Sequence, residues 1–282
     1  MPETLRTPDA TASNATVPDP AAADADLLDR TAIAVRAAGS ALRERFGEVV
    51  RYETREELMR ALAANDDTAL DILRPHLTQL RPGAGWVEDE LDGGALPPGE
   101  WWVVDPAEGN VNHLHALPEW AVTATLVREN QPVLTAVHLP LTGETYTART
   151  GAGAHLDGRP LHVSRTADLG LGIVATSQAR PDEDDDVVRR VGSSITAMLF
   201  DALVVRTAVP ATLHLLNVAA GRLDAFWQFA GARADLLPGA LLVTEAGGRI
   251  SDAQGRPWTP LSDSFLAAAP GVHAEAAATL SR

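Results

Sequence analysis

The chain contains neither cysteine nor lysine, and each absence excludes a kind of chemistry. Without cysteine there is no disulfide, no thiolate metal site and no cysteine nucleophile. Without lysine there is no Schiff base and no lysine general base, because all 23 basic side chains are arginine. Catalysis through a thiolate or an amine of the side chains is therefore excluded.

Positive charge and long apolar segments are also scarce. The 23 basic residues are outnumbered by 38 acidic ones, and the resulting net charge of -15 argues against a nucleic-acid binder. No uninterrupted run of about 18 apolar residues occurs, so no membrane-spanning helix is predicted. Residues 1–25 lack the basic and apolar regions of a signal peptide and are predicted to form a disordered tail. We expect a soluble cytoplasmic protein.

What the sequence does contain is a globular composition, with 45% hydrophobic residues in 282. Helical periodicity covers residues 26–46, and a second helix is predicted over residues 67–80, with Asn65-Asp66-Asp67 at its start and a kink or an interruption at Pro75. Short strand-like runs follow up to residue 147, and strands alternate with helices over residues 173–246. This mixture predicts α+β or layered α/β architecture with two subdomains.

The most informative segment is Trp102–Asn110, an apolar strand that ends in carboxylates. Asp105 is followed by a predicted proline turn, and Glu108 lies three residues further on. Mg²⁺ prefers clustered oxygen ligands, and a phosphate binds both the cation and free backbone N–H groups. The groups that this spacing brings toward one small volume are Asp105, the Ala107 carbonyl, Glu108, and the Gly109 and Asn110 amides. The alternative is that the segment is only a strand-to-helix turn.

Three further acidic segments lie at the ends of predicted elements, which is more than solubility requires. They are Asn65-Asp66-Asp67, Glu88–Asp92, and Asp235 ahead of an apolar helix that ends in Glu245-Ala246-Gly247-Gly248. Two histidines, His113 and His115, are spaced so that a strand would place both imidazoles on one face, as in some metal sites. Packing within a helix or loop is the favoured interpretation of these histidines.

On these motifs the chain resembles the inositol monophosphatase family, within the Mg²⁺-dependent, lithium-sensitive sugar-phosphate phosphatases. The resemblance extends from Asp26 to Ala269, and the segments that carry it are Trp102–Asn112, His115–Val122, Tyr146–Ser164 and Ala234–Gly248. It implies a layered αβαβα sandwich of the inositol monophosphatase and fructose-1,6-bisphosphatase type. It also implies subdomains over residues 26–165 and 166–282, completing the site between them, and a homodimer.

The resemblance further implies a cation site of two or three Mg²⁺ ions, with Mn²⁺ as a possible substitute and Li⁺ as an inhibitor. The implied ligands on the strand and on the distant helix are Asp105, the Ala107 carbonyl, Glu108 and Asp235. The family's paired glutamates fall within Glu88–Glu90, where the alignment slips by one residue. Asp89 is favoured there, as a metal ligand and catalytic residue, if the strand continues through Glu88, and Glu88 is the ligand otherwise.

The remaining implied roles concern water, phosphate and substrate. Asp66 and Asn110 would activate the attacking water, and the Gly109 and Asn110 amides would hold the phosphate. The implied substrate contacts are Gln228, Arg233 and Arg206. A neutral glutamine with a nearby arginine favours a substrate that has an additional anionic group.

The chain departs from the family's motifs within the site itself. Glu108 replaces an aspartate and extends the carboxylate by about 1.5 Å, while Asn110 replaces a threonine and cannot relay a proton. Gln228 replaces a glutamate of the inositol-specific members, and Ala234 replaces a tryptophan. The favoured function is Mg²⁺-dependent hydrolysis of a small phosphate monoester of the inositol, sugar or nucleotide type. The alternatives are non-hydrolytic chemistry on a phosphorylated intermediate, such as elimination or cyclisation, and a non-catalytic homologue.

Overall fold

The structure, a computed structural model, describes residues 20–47, 51–88, 95–181, 183–230 and 233–282. Within these ranges, two β-sheets alternate with three layers of helices. One layer of helices covers the outer face of the first sheet, a second lies between the two sheets, and a third covers the outer face of the second sheet. Their bounds follow in chain order.

The first layer consists of α1 (Pro20–Arg45) and α2 (Arg55–Leu80). Because α1 begins at Pro20, residues 20–25 are helical and do not belong to the predicted tail. The predicted start of α2 is also wrong. Thr54 caps the helix by accepting a hydrogen bond from the Glu57 amide at 3.2 Å, and the Glu57 carboxylate accepts one from the Thr54 amide at 3.3 Å. The segment 65–67 therefore lies inside α2, which continues through Pro75 without the predicted interruption.

The first sheet contains seven strands in sequence order, with β1 parallel to β2 and the other neighbours antiparallel. The strands are β1 (Gly85–Trp86), β2 (Glu100–Glu108), β3 (Ala121–Arg128), β4 (Gln131–Leu139), β5 (Glu144–Arg149), β6 (Ala154–Leu156) and β7 (Arg159–Pro160). The short helix α3 (Asn110–Leu114) connects β2 to β3. The predicted turn at Pro106 is wrong, because β2 continues to Glu108 with a shift in register between Asp105 and Glu108.

The second sheet contains five strands in the order β11-β12-β10-β8-β9, where β10 is parallel to β8 and antiparallel to β12. The elements of this half are β8 (Ile173–Thr176), α4 (Asp185–Asp201), β9 (Val204–Thr207), α5 (Ala211–Ala219), β10 (Ala225–Phe229), α6 (Arg233–Glu245), β11 (Arg249–Ser251), β12 (Ser264–Ala268) and α7 (His273–Leu280). Strand β9 forms one edge of the sheet.

Apolar side chains bury each interface between these layers. Leu42 and Leu73 pack with Trp102 between the outer helices and the first sheet, and Tyr146, Leu215 and Phe226 fill the space between the two sheets with neighbours from α6. Met198 and Trp227 belong to the cluster under α4 and α7. The predicted αβαβα sandwich is confirmed. None of the helices in the described ranges is long and apolar enough to cross a membrane.

Candidate active site

Three carboxylates meet at the end of β2. One oxygen from each of Asp105, Glu108 and Asp235 lies within 4.8 Å of the others. In a regular strand, residues three apart face opposite sides, but the register shift between Asp105 and Glu108 inserts the offset that lets their carboxylates converge. Asp235 comes from the first turn of α6. The structure thus brings together three of the predicted metal ligands from distant parts of the chain.

The group of three carboxylates fits a hard divalent cation. Asp105 and Glu108 are buried and Asp235 is half-buried, and burial raises the pKa of Asp235 to about 6. Mg²⁺ binds oxygen at about 2.1 Å, so that ligands on opposite sides of the ion are about 4.2 Å apart. The three oxygens lie within 4.8 Å of one another, which is close to this distance, and a cation would offset the repulsion between the charged forms. The Ala107 backbone lies between the two strand carboxylates, and its amide donates to Asp105 Oδ1 at 3.0 Å.

Thr212, in the first turn of α5, contacts this group. Its hydroxyl oxygen lies 3.0 Å from Glu108 Oε2 and 2.9 Å from the Asp235 carbonyl oxygen. The side chain is fully buried. Sequence reasoning missed Thr212, since a threonine in a helical segment far from Glu108 gives no indication of this contact.

Gly109 follows Glu108 and occupies a conformation that a larger residue would strain. Its φ is +79°, and a Cβ atom built there would lie 2.6 Å from the Glu119 carbonyl oxygen. Only glycine therefore allows the chain to pass this close to Glu119 and to enter α3 at Asn110. The position predicted for phosphate contact is a tightly constrained backbone turn.

Asn110 and Asp66, which are predicted to act together, are in contact. Asn110 Nδ2 donates to Asp66 Oδ1 at 2.7 Å and to the Leu62 carbonyl at 3.0 Å. Asn110 Oδ1 accepts from Asn65 Nδ2 at 2.8 Å. Both amide hydrogens are thus engaged, and the oxygen retains one lone pair. The orientation of the Asn110 amide is therefore determined by its neighbours.

Asn65 is in turn fixed by residues on both sides. Its Oδ1 accepts from Arg45 Nε at 3.0 Å, and its second amide hydrogen points to His113 Nδ1 at 3.0 Å. His113 Nε2 then carries the ring hydrogen and donates to the Leu42 carbonyl at 2.9 Å. Asn65, interpreted from the sequence only as part of a helix start, holds Asn110 instead.

His113 is a packed side chain, as predicted. It is buried, its ring lies 4.7 Å from that of Trp120 in an edge-to-face arrangement, and burial lowers its pKa. His115 is exposed and lies edge-on to Tyr52. Neither histidine belongs to the group of three carboxylates.

Asp66 has the electrostatic character of a base that titrates near neutral pH. Burial is the main cause that raises its pKa to about 6, the hydrogen bond from Asn110 lowers it, and the neighbouring Asp67 raises it. Asp66 is not a member of the group of three carboxylates.

The similarity of this chain to known proteins agrees with the geometry of the site. The Inositol monophosphatase family matches residues 24–282. The chain belongs to the inositol monophosphatase family. It is 31% identical over 234 residues to inositol monophosphatase 3 of Solanum lycopersicum, covering 81% of this chain and 87% of that protein. It is 32% identical over 236 residues to the inositol-1-monophosphatase of Rhizobium meliloti strain 1021, covering 81% and 86%.

A solved structure of the inositol monophosphatase family has the same fold. The IMPase of Thermotoga maritima superposes with a TM-score of 0.77 at 25% identity, covering 91% of this chain and 97% of that one. The resemblance inferred from the motifs is confirmed. Because the curated relatives are named as phosphatases, membership of the inositol monophosphatase family supports hydrolysis of a phosphate monoester in general.

Glu88 and Asp89 are the predicted ligands that remain to be considered. Glu88 is exposed and pairs with Arg74 at 2.5 Å. Glu88 is not a member of the group of three carboxylates, and its role as a ligand stays a prediction. Asp89, the favoured residue, lies outside the described residues.

The three residues predicted to contact the substrate differ in their exposure to solvent and in how far the structure describes them. Gln228 is buried at the end of β10, where its Oε1 accepts from the Ser177 hydroxyl at 2.8 Å and its Nε2 donates to the Ala230 carbonyl at 3.3 Å. Arg206 is exposed on β9 and lines a cavity of about 250 Å³ beside Pro210. Arg233 begins α6, and its side chain lies outside the described part of the chain.

Proposed function

We propose that this protein is a Mg²⁺-dependent phosphatase that hydrolyses a small phosphate monoester of the inositol, sugar or nucleotide type. The observation that carries the proposal is the convergence of Asp105, Glu108 and Asp235 oxygens within 4.8 Å, directly before the Gly109 turn. Two or three Mg²⁺ ions would be held there, with Mn²⁺ as a substitute, and Li⁺ would inhibit.

The chemistry follows from the chain's own groups around the bound cations. When present, such cations polarise the phosphoryl group and increase the acidity of water. The Gly109 and Asn110 amides would donate hydrogen bonds to the phosphate oxygens. Asp66 would accept a proton from the attacking water, because its raised pKa makes it a better base than an ordinary carboxylate. Asn110 would orient that water through the lone pair left on its Oδ1.

Gln228 suggests what the substrate presents at its other end. Because its oxygen accepts from Ser177 and one amide hydrogen is donated to Ala230, Gln228 retains one oxygen lone pair and one amide hydrogen, and this hydrogen is the group that a glutamate could not offer. We propose that the substrate has a hydrogen-bond acceptor there, and that Arg206 and Arg233 favour an additional anionic group. This arrangement would differ from an inositol site in which a glutamate accepts hydrogen bonds from hydroxyl groups.

A phosphate-release screen tests the proposed function. The purified protein is incubated with inositol, sugar, aminosugar and nucleotide phosphates carrying one or two anionic groups, with Mg²⁺, Mn²⁺ or a chelator. We expect release of inorganic phosphate with Mg²⁺, loss of activity with chelator, inhibition by Li⁺, and preference for substrates with two anionic groups. Phosphorus NMR of the same mixtures identifies products of elimination or cyclisation.

The alternatives give different results in this screen. A substrate consumed without release of inorganic phosphate would replace hydrolysis by non-hydrolytic chemistry. Binding without turnover of any substrate would identify a non-catalytic homologue. If Glu108→Asp combined with Asn110→Thr raised a trace activity by orders of magnitude, the native site would be one adapted away from hydrolysis.

We also propose that the protein is a homodimer, supported by an apolar surface at the end of α4 and along β9. Its side chains are Leu199, Phe200, Leu203 and Val204, with exposed fractions of 63%, 85%, 62% and 43%. Because β9 is an edge strand, a symmetry-related copy could cover both the apolar side chains and the strand edge. A cytoplasmic location remains a prediction from the sequence.

Replacing Phe200 with glutamate is expected to convert the dimer to a monomer, because it places a charge in the apolar surface. Sedimentation velocity at micromolar concentration measures the change. Leu261→Glu is the matched control, since Leu261 is 73% exposed on the loop between β11 and β12 and belongs to neither α4 nor β9. A monomeric unmodified protein, or a Phe200→Glu variant that remains dimeric, would contradict the proposed surface.

A further inference from the structure

Thr212 links the two halves of the candidate site. It is the second residue of α5, fully buried, and its hydroxyl lies 3.0 Å from Glu108 Oε2 and 2.9 Å from the Asp235 carbonyl. Glu108 belongs to the first sheet, whereas Asp235 lies in the first turn of α6 and supplies the third carboxylate. A single side chain thus contacts one residue of the cation site from each half of the chain.

The hydroxyl has one hydrogen for these two acceptors. The Asp235 carbonyl lies in the first turn of α6, where a carbonyl ordinarily accepts from the amide four residues further along the helix. An ionised Glu108 carboxylate can only accept, and a hydrogen bond to a charged acceptor is about twice as strong as a neutral one. We therefore assign the Thr212 hydrogen to Glu108 whenever this carboxylate is charged.

Glu108 needs such a contact more than an aspartate would. Its side chain has one additional rotatable bond and reaches about 1.5 Å further, so more conformers are available to its carboxylate. A cation shell requires the carboxylate in one conformer, and restricting the others costs free energy on binding. Thr212 is β-branched and stiff about χ1, and its burial excludes competing water, so its hydroxyl direction is well defined.

From these contacts we propose that Thr212 is a positioning residue that holds the longer Glu108 side chain in a cation-binding conformation. The inference rests on the cation site of the proposed function, and it concerns this chain's own pairing of a glutamate with a threonine. An aspartate at position 108 would fall short of the Thr212 hydroxyl, so the pairing depends on both residues. The Glu108 substitution is thereby accommodated by a partner on another element.

Isothermal titration of the metal-free protein with Mg²⁺ alone tests the proposal. Thr212→Val keeps the shape of the side chain and removes the hydroxyl, and we expect Mg²⁺ affinity to fall about 10-fold or more, as is typical when a partner of a metal ligand is removed. Thr212→Ser retains the hydroxyl but not the β-branch, and it should lose much less Mg²⁺ affinity than Thr212→Val. In a Glu108→Asp background, the same Thr212→Val change should have little effect, because the shorter side chain no longer reaches position 212.

The double-mutant cycle separates positioning from packing. Unchanged Mg²⁺ affinity in Thr212→Val would overturn the proposal, and so would an equal loss in the Glu108→Asp background, since that loss would reflect packing alone. Thermal unfolding without Mg²⁺ shows whether each variant folds. If Thr212→Val does not fold, Thr212→Ala in the two backgrounds gives the same decision.

The proposed function can fail separately. If the protein binds Mg²⁺ but releases no phosphate from any substrate, the phosphatase proposal is wrong. The role of Thr212 is then still tested by the Mg²⁺ affinities of the double-mutant cycle. Protein that releases phosphate while Thr212→Val binds Mg²⁺ normally keeps the phosphatase proposal and removes the role of Thr212.

Discussion

Replacing Asp105 with asparagine is expected to lower kcat/KM for phosphate release by about 10³-fold or more. Asparagine has nearly the same size as aspartate, and its Oδ1 can still accept the hydrogen bond from the Ala107 amide. The change removes one negative charge from the group of three carboxylates. Cation affinity should fall as well. Steady-state kinetics over a range of Mg²⁺ concentrations, together with Mg²⁺ titration of the metal-free protein, measure both effects.

Asp29→Asn is the control for Asp105→Asn. Asp29 is exposed on α1, outside the group of three carboxylates, and its substitution changes the net charge by the same amount. Activity within about twofold of the unmodified protein is expected, because isolated surface charges contribute little. An Asp105→Asn variant with activity close to that of Asp29→Asn would exclude Asp105 from the chemistry.

Replacing Asp66 with asparagine is expected to lower kcat by about 10²–10⁴-fold, the usual contribution of a general base. Since the pKa of Asp66 is raised to about 6, its basic form increases as the pH rises through 6, and the unmodified protein should gain activity over this interval. This rise forms the acidic limb of the pH–rate profile, and the Asp66→Asn variant should lose it. A pH–rate profile of kcat at saturating Mg²⁺ measures it.

Asp67→Asn provides the matched control for Asp66. Asp67 is exposed, and its negative charge raises the pKa of Asp66. Its removal should preserve the rate at high pH and move the acidic limb to lower pH. Asp235 also has a raised pKa, but protons and Mg²⁺ compete for a ligand, so a limb due to Asp235 would move with Mg²⁺ concentration. A limb that depends on Mg²⁺ and persists in Asp66→Asn would contradict the assignment to Asp66.

The sequence was sufficient to locate the carboxylates at the end of β2. The apolar run before Asp105 predicts a strand, the motifs around it identify the family, and the resemblance to that family implies Asp235 as the distant ligand. It was not sufficient to predict the register shift between Asp105 and Glu108, because a bulge depends on how β2 pairs with β3. The convergence of the two carboxylates results from that pairing.

The contacts made by Glu108 and Asn110, the two substituted positions, join residues that are far apart in the chain and could not be predicted from the sequence. Thr212 and Glu108 are separated by 104 residues, and Asn65 and Asn110 by 45. Neither polar residue is part of the family motifs on which the resemblance was based. The contacts of Thr212 and Asn65 depend on how different helices and strands pack together. The periodicity and spacing of residues within one element do not predict that packing.

One error was avoidable from the sequence. Thr54 and Glu57 have the spacing of a capping box, which predicts a helix start at Arg55. The segment Asn65-Asp66-Asp67 also has the short polar side chains that suit a helix start, but it lies inside α2. The consequence is functional, since side chains inside a helix have defined directions, and Asn65 and Asp66 both reach Asn110 from there.

Gly109 limits how this active site can be redesigned. Its left-handed conformation and the 2.6 Å approach that a Cβ would make to the Glu119 carbonyl leave no room for a side chain. Altering the chemistry at this loop is therefore restricted to the flanking positions, 108 and 110, which are the positions where the chain departs from the family's motif. A library built to change substrate or reaction should vary these two positions together with Thr212 and Asn65, and should keep the glycine between them constant.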